Sequence, residues 1–164
     1  MDGLIPPTDP LELRRVFGCF PSGVTGVCAL VDGVPVGMAA STFVPVSLDP
    51  PLVSVCVRNE SLTWPRLRRS ALLGVSVLAG NHELACRALA DKQGDRFKEV
   101  SWRAGPGDAI FIEDAVAVLA CHLYAEMPAG DHIIALLLIA GVRADPEGEP
   151  LVFHRSRYRK LAVA

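Results

Sequence analysis

The chain lacks most features that announce a specialised partner or compartment. Its charges nearly cancel, 16 Lys and Arg against 18 Asp and Glu. It therefore has no basic footprint for nucleic acid. No apolar run reaches the roughly 18 residues a membrane span needs. The longest, residues 133–142, is broken by Gly141 and reads as a buried strand. Residues 1–10 are acidic and proline-rich, without a basic segment leading into an apolar one, so no secretory leader is expected and the chain is read as cytoplasmic. The five cysteines (Cys19, Cys28, Cys56, Cys86 and Cys121) are an odd number without a CxxC pair. That pattern reads as reduced, buried thiols, with a nucleophilic thiol as the second reading. His82, His122, His132 and His154 fall at no ligand spacing and no cysteine or carboxylate cluster joins them, so no metal is expected. Walker, GxSxG and HExxH motifs are absent, and no GxGxxG follows a strand.

What is present is apolar and punctuated. Hydrophobic residues make up 51% and charged residues 21% of 164. This is enough for one globular domain with a real core, residues 1–164, with 1–10 as an N-terminal extension. Asp9, Pro10 and Glu12 read as a capped helix start, and Leu13, Val16, Phe17 and Phe20 follow at helical spacing. Residues 24–31 and 34–41 read as strands around Asp32-Gly33, a type I′ hairpin signal. Asp49-Pro50-Pro51 stops the next segment, and 52–57 reads as a central strand. Thr63 and Pro65 mark a short helix start. Residues 72–78 read as a strand, and Asn81 as the cap of a helix to about Asp91 with Leu84, Ala88 and Asp91 in line. In 115–127 two faces alternate: Leu119, Cys121, Leu123, Ala125 and Met127 on one, Val118, Ala120, His122, Tyr124 and Glu126 on the other. Residues 132–143 and 151–154 complete about seven strands. Direct hairpins dominate, so the expected fold is mainly β, an antiparallel barrel with a few peripheral helices. Strands apolar on both faces, 52–57 and 133–139, need cover outside as well as inside, which predicts a homodimer.

Five segments hold candidate chemistry, each with a plain alternative. The run Met38, Ala39, Ala40, Ser41 and Thr42 places small residues beside a buried strand. It serves either close strand packing or the edge of a flat ligand. Val57, Arg58, Ser61 and Thr63 lead from a strand into a helix start, which binds an anion or simply caps the helix. Arg96 and Phe97 lie in a charged loop, "KQGDRFKE", that is either solvated or a phosphate clamp. His132 follows Asp131 at the start of a strand, where sequence neighbours point to opposite faces. The tail "FHRSRYRKL" offers positive charge and Tyr158 as a stacking ring. Residue chemistry alone stops at a β-barrel with anion-suited loops.

Taken in order, "FPSGVTGV", "VGMAASTFVPVSLDPPLVSVCV", "DRF", "AGDHII" and "EPLVFHRSRYRKL" resemble the short-chain flavin reductases, the reductase components of two-component flavin monooxygenases. The resemblance spans residues 11–161. It implies an FMN-binding split barrel of Greek-key type. It also implies hydride transfer from NADH or NADPH to FMN or FAD, with reduced flavin diffusing to a partner monooxygenase. Met38, Ala39, Ala40, Ser41 and Thr42 would flank the flavin ring. Val57, Arg58, Ser61 and Thr63 would lie by the ribityl chain and phosphate. Arg96 and Phe97 would close the phosphate end or ring, and His132 and Tyr158 would meet the nicotinamide. Two other readings remain: a flavoprotein holding FMN tightly, or a non-catalytic flavin- or haem-carrying barrel.

Overall fold

The computed structural model describes residues 3, 4, 6 and 8–161, so the N-terminal extension lies partly outside the described residues. Helix α1 (Pro10–Phe17) starts at Asp9, whose carboxylate accepts the Leu11 N–H at 2.8 Å. It ends three residues before Phe20, which is exposed with Leu11, Val16 and Phe17, while Leu13 is half-buried. After β1 (Ser22–Gly23) comes β2 (Thr25–Val31). Asp32 and Gly33, at φ 54° and 76°, turn the chain into β3 (Val34–Ala40), as a type I′ turn requires. Then come β4 (Val44–Leu48), β5 (Pro51–Arg58), α2 (Trp64–Leu67), β6 (Leu73–Val77) and α3 (Glu83–Ala90). The chain continues through β7 (Trp102–Ala104), a 3₁₀ turn at Pro106–Asp108, β8 (Ile110–Ile112), β9 (Ala117–Ala129) and β10 (His132–Ala144). It closes with β11 (Val152–His154) and β12 (Arg157–Arg159).

The molecule is mainly β, with antiparallel sheets and few helices. Seven strands form one sheet in the order β3-β2-β6-β9-β10-β5-β4. The expected seven strands are twelve among the described residues; β1, β4, β7, β8 and β12 are the additions. Four of those are two or three residues long, too short for alternation to show. The fifth, β4, contains Pro45, which lowers its strand signal, and it sits at the sheet edge where a missing N–H is tolerated. Strand β5 lies next to that edge rather than at the centre.

The sheet coils around its main core. Val36 and Ala40 of β3 share one apolar cluster with Val53, Val55 and Val57 of β5 and with Ala135 and Leu137 of β10. Each fully buried Val or Leu there contributes about 1.5–3 kcal/mol. A second core lies on the other side of β2, where Cys28 meets Leu89 of α3, Phe97, Val100, Ile110 and Ile112. Strand β8 crosses close over β6. A Cβ on Gly74 would stand 2.0 Å from the Ile110 carbonyl oxygen, so only glycine permits the approach. Buried Ser76 accepts the Ile112 N–H at 3.0 Å, which explains a hydroxyl in that core.

Two further expectations change. In α3 the buried residues are Cys86 and Leu89, while Leu84 and Asp91 are exposed, so the inward face is the neighbouring stripe. In β9 the alternation breaks at a bulge: Leu136 pairs with Ala125, but Leu137 pairs with Leu123, leaving Tyr124 as the extra residue. Leu119 and Cys121 remain in the core, whereas Ala125 and Met127 move to the other side. Glu126 thereby turns inward opposite buried Ala135.

Candidate functional site

A cleft of about 390 Å³ opens where β3, β5, the loop before α2 and the C-terminal end of α3 converge. Its floor is small and apolar: Met38 and Ala39 of β3, Cys56 and Val57 of β5, Leu89 and Ala90 of α3. Its rim is polar, with Arg58, Lys92 and Arg96 against the single acid Glu60, and with the hydroxyls of Ser61 and Thr63. Three cations and one anion make the mouth a region of positive potential.

The rim is held by identifiable bonds. The loop leaving β5 is pinned to the β9–β10 turn: the Asn59 N–H donates to the Asp131 carbonyl at 3.0 Å and its side-chain amide to the Gly130 carbonyl at 3.1 Å. Ser61 Oγ accepts the Trp64 N–H at 3.1 Å, so Ser61, not Thr63, caps α2. Trp64 is buried and its indole donates to Glu126 Oε1 at 2.6 Å, while Arg68 pairs with the same carboxylate. Thr63 is thereby free to face Arg96. Arg96 Nη1 donates to Thr63 Oγ1 at 2.9 Å and to the Gly37 carbonyl at 2.7 Å. This guanidinium forms a bar across the cleft, tying the loop after α3 to the outer edge of β3.

The structure gathers Met38, Ala39, Val57, Arg58, Ser61, Thr63 and Arg96 around this cleft. The remaining candidates have other surroundings. Ala40 packs in the main core because the pleat sends alternate residues to opposite sides. Thr42 is bonded to β5, its Oγ1 accepting the Cys56 N–H at 2.8 Å and donating to the Cys56 carbonyl at 3.2 Å. Ser41 is exposed beside it. Phe97 is a core ring, edge-on to Trp102 with centroids 6.1 Å apart. Tyr158 meets Cys86 Sγ at 3.2 Å, under the Arg87 guanidinium 5.0 Å from the ring centroid, and does not line the cleft. Burial and the Cys86 contact push the Tyr158 phenol up to about 12. Burial also raises the Cys86 thiol, so both stay protonated near neutrality.

His132 begins β10 opposite Arg58, next to the cleft's β5 wall. Contrary to the opposite-faces expectation, Asp131 touches it: the carboxylate lies 2.7 Å from His132 Nδ1. Asp131 belongs to the turn, not the strand, so the pleat does not separate the two. The histidine holds the Asp131 carboxyl below its usual range. Cys56, Glu60, Leu62, Leu89, Ala90 and Lys92 are wall residues that sequence reasoning missed. Glu60 and Leu62 stand in the loop between Arg58 and Thr63, and Lys92 opens the charged stretch "KQGDRFKE", so position carried a signal for these three. Among the described residues no cluster of three His, Cys, Asp or Glu forms a metal site.

Residues 17–162 match the family described as flavin reductase like domain. The chain is 38% identical to the NADH-dependent FAD reductase of Streptomyces globisporus, over 97% of this chain and 90% of that protein. It is 33% identical to the reductase subunit HsaB of a flavin-dependent monooxygenase from Rhodococcus jostii, over 92% and 77% respectively. The solved structure of Streptomyces globisporus C-1027 NADH:FAD oxidoreductase SgcE6, in complex with NAD and FAD fragments, superposes with a TM-score of 0.91 at 39% identity, covering 97% of this chain and 96% of that one. The protein belongs to the flavin reductase-like family.

Proposed function

We propose that the protein is an NAD(P)H:flavin oxidoreductase that reduces FMN or FAD and releases the product to a flavin-dependent monooxygenase. The observation that carries this is the cleft itself, a floor of small apolar side chains under a cationic rim, in a chain of this family. The residues fit the ligand. A flat ring needs an apolar floor, which Ala39, Met38 and Val57 supply. A phosphate needs guanidinium and hydroxyl donors, which Arg58, Arg96, Ser61 and Thr63 supply. Bound together, the flavin and the nicotinamide supply the hydride chemistry.

The chain's own part is binding and orientation. Arg96 and Thr63 engage the phosphate, and Met38 and Ala39 set the depth of the ring. His132, half-exposed beside Arg58, steers the nicotinamide from the open side. Tyr158 contributes through the packing of α3, which carries Leu89 to the floor. No side chain needs to act as an acid or base. The cleft opens to solvent, which suits a flavin that comes and goes. We read the coiled sheet as a split barrel of Greek-key type. The protein is further read as a cytoplasmic homodimer; among the described residues no helix is long and apolar enough to cross a membrane.

The test is steady-state turnover. Purified protein with NADH or NADPH and added FMN, FAD or riboflavin should consume the nicotinamide with saturable dependence on flavin, and gel filtration should strip the flavin. Absence of turnover with every pair overturns the reading. Flavin retained at one per chain with slow exchange favours a prosthetic group instead.

A further inference from the structure

Strand β9 carries a carboxylate on the side where its partner strand is buried. Glu126 stands opposite Ala135, which is wholly buried, and its own side chain is 17% exposed. It faces this way because Tyr124 is the extra residue of the bulge; a regular pleat would send it to the other side. Withdrawing a carboxylate from water is costly, and a well-packed hydrophobe is often the more stable choice in such a place. Its contacts say what it does instead. Oε1 accepts the Trp64 indole N–H at 2.6 Å, and Oε2 pairs with Arg68. None of these three residues lines the cleft.

We propose that Glu126 is a positioning residue for the flavin phosphate, acting through Trp64 on the loop 58–63. The proposal rests on the flavin reductase reading. Helix α2 has four residues, too few to hold itself in place. Trp64 is its first residue and directly follows Thr63, whose hydroxyl accepts from Arg96 at 2.9 Å. Its backbone N–H donates to Ser61 Oγ. The setting of Trp64 therefore decides where both hydroxyls point. Apolar packing around the buried ring is non-directional, so the indole bond to Glu126 is what fixes the ring's rotation. At the loop's other end, Asn59 is held by Gly130 and Asp131 in the β9–β10 turn. One hairpin thus grips the loop twice, by its tip at Asn59 and by its β9 arm at Glu126. A phosphate that must meet Arg96, Thr63 and Ser61 together is sensitive to a misplacement of about 1 Å. A ring resting on Met38 and Ala39, which belong to β3, does not depend on this loop. Riboflavin, the flavin without a phosphate, therefore separates positioning from general support of the fold.

The experiment measures KM and kcat for FMN and for riboflavin at saturating NADH. It compares the intact protein with Glu126→Ala, Glu126→Gln, Trp64→Phe and the double variant Trp64→Phe/Glu126→Ala. Glu126→Ala should raise the FMN KM about tenfold and leave kcat and the riboflavin KM within about twofold. Glu126→Gln keeps an oxygen for the indole and should bring the FMN KM back to within about threefold of the parent's. Trp64→Phe keeps a buried ring without its N–H and should reproduce the Glu126→Ala pattern, with the double variant no worse than either single one. Equal rises for FMN and riboflavin, a loss confined to kcat, no recovery with glutamine, or additive effects in the double variant overturn the proposal. Should Glu126→Ala not fold, Trp64→Phe decides alone, and an unchanged FMN KM there is fatal. The wider reading fails separately, if the intact protein oxidises no NADH or NADPH with either flavin.

Discussion

Arg96 is the residue on which the site turns, because it is partly buried, bonded to strand and loop at once, and set across the cleft. Replacing it by methionine keeps most of the stem and removes the charge. Arg96→Met should weaken FMN binding by about tenfold or more, as expected for a lost charge-assisted hydrogen bond to phosphate. Fluorescence quenching by the protein checks this, and an unchanged constant would remove Arg96 from the phosphate site. Riboflavin, which has no phosphate, should be affected far less. Arg96, Thr63 and Ser61 were legible as anion-binding types from composition and position alone. What separated them was not: Ser61 caps α2 and Thr63 does not, a choice made by backbone angles. Cys56 and Leu89 were invisible because only the topology brings β5 and α3 to one wall. The Tyr158 phenol read as a stacking platform, and a thiol 72 residues earlier in the chain takes its hydroxyl.

At the scale of elements, strong local signals survived folding and weak ones did not. The Asp32-Gly33 hairpin and the Asp9 cap appear as expected because each is decided within four residues. The faces of β9 did not, since one bulged residue reverses the pleat and pairing with β10 decides where it falls. Glu126 thus arrives under α2, where Trp64 and Arg68 need it. Helix α3 carries a pH dependence of its own. His82 precedes it, and its Nδ1 accepts the Ala79 N–H at 3.0 Å, which requires the neutral ring. Burial holds its pKa below the ordinary 6.5, against the opposing pull of Asp114. The unfolded chain binds this proton near 6.5 while the folded chain resists it. The contribution is therefore whole above pH 6.5 and lost as pH falls toward the folded value. Urea midpoints measured downward from that pH should decline, and His82→Gln should flatten the slope. A slope identical in the variant would assign the dependence elsewhere.

For the whole molecule, the feature that bears on assembly is the apolar outer face of β5, β9 and β10. Leu136 faces outward, paired with Ser54 on one side and Ala125 on the other, with Ile134 and Leu138 beside it along β10. Met127 is exposed on the same side. An apolar face of this kind on a small domain is expected to meet a second copy. On the homodimer reading, Leu136→Lys should give a monomer in light scattering after size exclusion where the parent gives a dimer, with a circular dichroism spectrum like that of the parent. A parent protein that is monomeric at micromolar concentration would refute the dimer outright.

Strand β4, at one edge of the sheet, limits how copies can meet. Pro45 offers no amide proton, and the pairing slips between Pro45 and Ser47, which leaves Val46 as a kink in the border. Leu48, 96% exposed, ends the strand at a turn. A neighbour cannot zip along such a border, so growth by adding strand upon strand is blocked there. On the homodimer reading, association falls to the broad flank, where a twofold arrangement closes on itself, and high concentrations should yield discrete particles rather than filaments.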